Sequence, residues 1–134
     1  MIKRAASFGA LALAAALAAA SAQAQTLALS ASAERGRALL ANRVESGCIL
    51  CHALPGFAQG GELGPSLVAI AQRSSAQELR RRIADARLFN PQTIMPPYLS
   101  TEELQAVAPA YRGRTALSVQ GLEDIVAYLM APAR

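Results

Sequence analysis

The chain has few of the residues that most metal sites and nucleic-acid interfaces require. Its 134 residues include one histidine, two cysteines, no tryptophan and no lysine after Lys3. A structural zinc site takes four ligands, so this supply argues against one. Without Lys3 and Arg4, eleven basic residues stand against nine acidic ones, a net charge of +2. That balance argues against a nucleic-acid-binding domain.

Aromatic residues are also scarce. After residue 24 the chain has five of them: Phe57, Phe89, Tyr98, Tyr111 and Tyr128. A length of about 110 residues fits one small domain. So little aromatic volume predicts a thin core, unless a bound apolar group adds to it.

Residues 1–24 differ in character from the rest. Lys3 and Arg4 precede an Ala/Leu-rich run that ends in Ala22-Gln23-Ala24. This is the pattern of a secretory signal peptide. The alternative, a transmembrane anchor, needs roughly 20 strongly apolar residues, and this run is shorter and rich in alanine. We therefore expect export to the periplasm, cleavage near Ala24, and one mature domain over residues 25–134 with no membrane span.

The two cysteines belong to one short motif. Residues 48–52 read Cys-Ile-Leu-Cys-His, the C-x-x-C-H signature of c-type haem attachment. Cys48 and Cys51 lie one helical turn apart, so both thiols can add to the vinyl groups of one haem. His52 would then donate Nε2 to the iron. The motif predicts one covalent haem c.

Two other interpretations of the cysteines are weaker. A plain disulfide is common in exported proteins, but it leaves His52 unexplained. A thioredoxin-like dithiol would follow a strand in a βαβ unit, and no β-rich run precedes Cys48.

The sixth iron ligand cannot be a second histidine, and methionine is the usual alternative. Met95 lies in a loop beside Pro91, Pro96 and Pro97, and prolines make such a loop stiff. Met130 lies at the end of an amphipathic segment, where a packing role is usual. These contexts favour Met95, while an iron with an open sixth position is the remaining alternative.

The apolar periodicity predicts an all-α fold of short helices. Residues 25–32 read as a loose leader, followed by a helix over 33–44 capped by Ser32. Further helices are expected over 75–88 with Ser75 as cap, from Thr101 to about Pro109, and over 119–130 with Ser118 as cap. The apolar spacing predicts these inward-facing residues: Leu40 and Val44 in the first helix, Leu79, Ile83 and Ala86 in the second, and Leu122, Ile125, Val126 and Leu129 in the last. The loop over 53–66 is rich in glycine and proline.

The segment from Gly36 to Leu129 resembles class I cytochrome c. The resemblance rests on Gly36 in the first helix, the C-x-x-C-H motif, a Gly-Pro-Ser-Leu run over 64–67, a loop methionine, and Tyr128 in the last helix. It implies a domain wrapped around the haem, with the Pro65 carbonyl orienting His52.

A narrower set of residues resembles the SoxX family, the monohaem subunits of the SoxAX cytochromes of sulfur oxidation. Residues 90–96 (Asn-Pro-Gln-Thr-Ile-Met-Pro), 106–113 (Ala-Val-Ala-Pro-Ala-Tyr-Arg-Gly) and 123–129 (Glu-Asp-Ile-Val-Ala-Tyr-Leu) carry this resemblance. It implies a SoxA-type haem subunit as partner, the carrier protein SoxY reached through that complex, and a downstream acceptor cytochrome.

The resemblance implies electron transfer within a complex that joins thiosulfate to a carrier cysteine, the reaction of an L-cysteine S-thiosulfotransferase. Cys48 and Cys51 are both committed to haem, so we assign no catalytic residue to this chain. A stand-alone cytochrome shuttle is the alternative. The run Arg80-Arg81-Arg82 is either a docking site for an acidic partner or a solvated helix face.

Overall fold

The computed structural model describes residues 6–132, and side chains from residue 14 onward. The described residues form helices and loops without a strand, so the fold is all-α as expected. The α-helices are α1 (Ala6–Ala41), α2 (Cys48–Cys51), α3 (Ala76–Ala84) and α4 (Val119–Met130). Short 3₁₀ helices cover Ile70–Gln72, Ala86–Leu88 and Pro109–Tyr111. The chain divides into two compact units, Met1–Ala31 and Ser32–Arg134.

In the first unit, the described residues 6–31 belong to α1, and Lys3 and Arg4 lie outside the described residues. The side chains of residues 14–31 are exposed. The loose leader expected over 25–32 is wrong, because these residues are helical and continue α1. Among the described helices, none combines the length and apolar character needed to cross a membrane.

In the second unit, α1 crosses α4 at Gly36. A Cβ built on Gly36 would lie 1.8 Å from the Asp124 carbonyl oxygen, so the two backbones approach as closely as glycine permits. The helix ends at Ala41, three residues before the expected end, since the Asn42 side chain accepts hydrogen bonds from the next turn. Leu40 is buried, whereas Val44, expected on the same face, is 96% exposed.

Helix α3 begins as the sequence predicts and ends earlier. The Ser75 hydroxyl accepts a hydrogen bond from the Glu78 amide, the expected cap. The helix stops at Ala84 because Asp85 is extended and caps the following 3₁₀ helix by accepting from the Arg87 amide. The three predicted inward residues are all buried: Leu79, Ile83 and Ala86.

The helix expected from Thr101 is wrong. Residues 101–108 are irregular, and Glu103 and Ala106 adopt left-handed backbone angles that interrupt a right-handed helix. Leu104 and Val107 are the only large apolar residues of this segment. Two such residues give a helix too small an apolar face to be stabilised by packing. A 3₁₀ turn begins instead at Pro109.

Helix α4 has the predicted bounds and cap. The Ser118 hydroxyl accepts from the Gly121 amide at 2.9 Å. The buried face comprises the expected apolar residues: Leu122, Ile125, Val126 and Leu129. Asp124 lies in the second turn of α4, and its carboxylate is buried against Arg35 of α1, with 4% of the side chain exposed.

Asp124 joins the two terminal helices through two side chains of α1, Ser32 and Arg35, and it also accepts a bond from Gln120 of its own helix. Its carboxylate accepts from Ser32 Oγ at 2.6 Å, from two Arg35 nitrogens at 2.7 and 2.8 Å, and from Gln120 Nε2 at 2.9 Å. Arg35 and these hydrogen bonds lower the pKa of Asp124 to about 2, from an ordinary 3.8. The buried carboxylate therefore stays ionised while the fold is intact.

We expect Asp124→Asn to lower the free energy of unfolding by about 2 kcal/mol near neutral pH. The pKa of Asp124 is lower in the folded chain, so its ionised form stabilises the fold above the unfolded pKa. That contribution is lost as the pH falls from about 4 to about 2. Urea unfolding of the wild type and the variant across this range measures it.

Glu123→Gln is the matched control for this prediction. Glu123, on the same helix as Asp124, pairs with Arg80 of α3. Both of these side chains are about 40% exposed, so the loss of the pair should cost less than about 1 kcal/mol. A stability difference between wild type and Asp124→Asn that stays constant down to about pH 2 would contradict the assignment.

Candidate functional site

The C-x-x-C-H motif occupies the short helix α2 and the residue after it. Gly47 precedes it in a left-handed conformation, with φ of 65°, and His52 ends it with an extended backbone. Cys48 is buried, Cys51 is half-buried, and both thiols are free. The two sulfur atoms are therefore available for thioether bonds, on the same turn as the histidine.

His52 is fixed by one hydrogen bond to the backbone. Its Nδ1 lies 2.7 Å from the Pro65 carbonyl oxygen. A carbonyl only accepts, so Nδ1 carries the ring proton and donates it. The Nε2 atom then keeps its lone pair, the state in which imidazole ligates a metal. The residue is 9% exposed.

The loop after His52 turns back along the motif. The amides of Gly61, Gly64 and Leu67 donate to the carbonyls of Ile49, Cys51 and Ala53, at 2.7–2.9 Å. This set of backbone bonds places Pro65 beside His52. The family resemblance implied that Pro65 contacts His52, but no sequence pattern predicted these three backbone bonds.

Gly64 lies directly against the imidazole of His52. A Cβ built on Gly64 would be 2.4 Å from Cε1, 2.7 Å from Nδ1 and 2.9 Å from Nε2. Any side chain at this position would displace the ring. The sequence placed Gly64 in a loop and in the Gly-Pro-Ser-Leu run of the family resemblance, but it did not predict this contact with the ring.

The two candidate methionines are both half-buried and pack against the core. The Met95 loop is held by local bonds, with the Met95 amide donating to the Thr93 hydroxyl at 3.2 Å and the Thr93 amide donating to the Asn90 carbonyl at 3.0 Å. Met130 is the last residue of α4. A fixed loop suits a weak thioether ligand better than a helix end, so Met95 stays the prediction.

Tyr98 is a further residue of this region that sequence reasoning missed. It is 5% exposed, and its phenol donates to the Ser46 carbonyl, just before the C-x-x-C-H motif. Burial raises the pKa of the phenol, and the neighbouring Cys48 thiol raises it further. The phenol therefore remains a protonated donor.

The arginine run is largely engaged within the chain. Arg80 makes a bidentate pair with Glu123 at 2.7–2.9 Å, and Arg82 pairs with Glu78 at 2.8 Å. Arg81 and Arg82 also stack over Phe89, at 5.2 and 4.3 Å. Arg80 is consequently part of the contact between α3 and α4, which weakens its interpretation as a docking residue.

These residues fit a covalently attached haem. The structure brings together two free thiols, an imidazole with its proton held on Nδ1, and a glycine that leaves space at the ring. Covalent attachment through Cys48 and Cys51 with His52 as ligand is the chemistry that this donor set supports.

The all-helical second unit, with its motif early and its terminal helices crossed, has a class I cytochrome c-like fold. It is similar to a chain in the crystal structure of SoxXA from P. pantotrophus, with a TM-score of 0.65 and 22% sequence identity. The likeness covers 76% of this chain and 82% of that chain. No protein-family model matches the sequence, and no curated protein matches it. At this identity the likeness establishes a shared fold.

Proposed function

We propose that the chain is a monohaem electron-transfer c-type cytochrome. The hydrogen bond between His52 and Pro65, beside two free thiols, is the observation that carries the proposal. Cys48 and Cys51 would hold the haem as thioethers, and His52 and Met95 would ligate its iron. Haem, when bound, supplies one-electron transfer. The Pro65 carbonyl orients the imidazole and makes it a stronger donor.

We further propose that the chain is the SoxX-type subunit of a thiosulfate-oxidising complex. The resemblance of residues 90–96 and 106–113 to SoxX, and the fold shared with a chain of SoxXA, support this. The partner would be a SoxA-type haem subunit, with a carrier protein as substrate and a downstream cytochrome as acceptor. Export by a signal peptide cleaved near Ala24 would place the complex in the periplasm.

The division of labour follows from the cysteines. Joining thiosulfate to a carrier thiol forms one S–S bond and releases one proton and two electrons. Cys48 and Cys51, the only cysteines in the sequence, would both be thioethers, so the sulfur chemistry belongs to other subunits. One haem carries one electron, and this chain would therefore relay the two electrons one at a time.

Native purification tests the subunit role. The tagged chain is isolated from the periplasm of thiosulfate-grown source cells, and the co-purifying proteins are stained for haem. A second, larger haem protein in equal amount supports the subunit, and thiosulfate oxidation is then assayed on the complex. A lone small haem band would overturn the subunit role and favour the stand-alone shuttle.

Replacing Met95 by leucine tests the sixth ligand. We expect ferric Met95→Leu to bind cyanide at least about 100-fold faster than the wild type, because no protein ligand must first leave the iron. Met130→Leu is the matched control and should bind cyanide at the wild-type rate. Stopped-flow absorbance measures both rates. The reverse ranking would assign the ligand to Met130, and rapid binding by the wild type would indicate an open iron.

A further inference from the structure

Tyr98 connects the two segments that would carry the two iron ligands. One segment, residues 46–52, contains His52, and the other, residues 90–98, contains Met95. Within the part of the chain that the structure describes, the bond from the Tyr98 phenol to the Ser46 carbonyl is the hydrogen bond that joins them. It links residues 52 apart in sequence and is buried.

The Ser46 end of this bond is fixed. Ser46 is 5% exposed, its hydroxyl donates to the Leu39 carbonyl of α1 at 2.6 Å, and its amide donates to the Asn42 carbonyl at 3.3 Å. The Cys48 sulfur also lies 4.0 Å from the Ser46 carbonyl. A thioether sulfur has no proton to donate, so in the haem-bearing chain the phenol would be the donor left to this carbonyl.

The Tyr98 end is connected stiffly to the ligand loop. Its amide donates to the Ile83 carbonyl of α3, at 3.4 Å, and its carbonyl accepts from the Leu117 amide at 3.1 Å. Only Pro96 and Pro97 separate it from Met95. Because proline fixes φ, a shift of Tyr98 is passed on to Met95 rather than absorbed between them.

We propose that Tyr98 is a positioning residue for the sixth ligand: its bond to Ser46 sets the Met95 loop against the segment that carries His52. This inference rests on the proposed haem ligation by His52 and Met95. Loss of this bond removes one of the three hydrogen bonds that hold Tyr98 in place. It also leaves the buried Ser46 carbonyl without its donor. Met95 would then be held less firmly as a ligand of the haem iron.

Tyr98→Phe tests the proposal in the haem-bearing protein. We expect its ferric form to bind imidazole with a dissociation constant about ten-fold lower than the wild type, which corresponds to about 1.4 kcal/mol. Imidazole competes with the methionine for the iron, so its affinity reports how firmly Met95 is held. The absorption spectrum of the ferric protein, titrated with imidazole, measures this.

Tyr128→Phe is the matched control. The Tyr128 phenol likewise donates to a backbone carbonyl, that of Pro55, at 2.6 Å, but it does not contact the ligand loop through this bond. Removal of the Tyr128 hydroxyl should lower stability and leave the imidazole affinity within about two-fold of the wild type. Equal imidazole affinities in the two variants would overturn the positioning role.

Pro97→Ala provides a second route to the same conclusion if Tyr98→Phe does not accumulate. This variant keeps the phenol and loosens its connection to Met95, so imidazole should again bind more tightly than in the wild type. Unchanged affinity would overturn the proposal. A wild-type ferric spectrum without methionine ligation would instead contradict the proposed function, so the two failures are distinguishable.

Discussion

Gly36→Ala is expected to lower the free energy of unfolding by on the order of 3–5 kcal/mol, a large value for a single methyl group. The added Cβ would lie 1.8 Å from the oxygen and 2.4 Å from the carbon of the Asp124 carbonyl, and 2.9 Å from the Ile125 nitrogen. All three are backbone atoms, so no side chain can rotate away. The two helices must separate, and the contacts of Leu40 and the Asp124 carboxylate weaken with them.

Gly121→Ala is the control for this prediction. Gly121 lies in α4, and its added Cβ would meet side-chain atoms only, Ser118 Oγ at 3.3 Å and Leu39 Cδ1 at 3.4 Å. Alanine is the better helix former by about 1 kcal/mol, so this variant should be neutral or slightly stabilised. Urea unfolding of both haem-bearing variants decides the matter. Equal stabilities would contradict the close crossing at Gly36.

The parts of the fold that the sequence predicted well are those with a strong local signal. Helix α4 combines an apolar face with a serine cap, and its bounds are confirmed. Helix α3 has the same two features and begins where expected. The sequence did not predict its end, because the Asp85 side chain accepts from the Arg87 amide and so begins a new turn. Apolar periodicity does not reveal whether a residue continues a helix or caps the next turn.

Other errors arise where distant contacts, or the lack of them, decide the structure. Ser32 was interpreted as a cap, yet it lies inside α1, and its hydroxyl bonds to Asp124, 92 residues away. The segment from Thr101 had helix-forming residues at its start but little apolar surface to bury. Composition and spacing report local preference, and tertiary contacts override it at such places.

The candidate site divides in the same way. Cys48, Cys51 and His52 are contiguous, so a motif was enough to select them, and Pro65 followed from a family resemblance. Tyr98 and Gly64 act through a backbone carbonyl and through the absence of a side chain, respectively. Gly64 lies in the Gly-Pro-Ser-Leu run that carries the family resemblance, but no residue pattern indicates its contact with the His52 ring or the hydrogen bond of Tyr98.

Gly64→Ala is the second large effect that we expect, and it concerns haem attachment. The new methyl group would occupy the space of the His52 ring, at 2.4 Å from Cε1. The ring can move aside only by giving up its hydrogen bond to Pro65, and the imidazole then loses the orientation that presents Nε2. Loss of a hydrogen-bond partner of a metal-ligating histidine typically lowers metal affinity by about 10–100-fold. We therefore expect the yield of haem-bearing protein to fall at least about ten-fold.

Haem staining of periplasmic extracts, normalised to the polypeptide on an immunoblot, measures this yield. Gly113→Ala is the matched control, because Gly113 has a positive φ of 70° but no atom within 4 Å of an added Cβ. This control distinguishes the effect of replacing a loop glycine from the effect of a steric clash with the His52 ring. Wild-type haem yield and an unchanged spectrum in Gly64→Ala would show that the ring tolerates displacement. The contact of Gly64 with the imidazole would then not be required for His52 to ligate the iron.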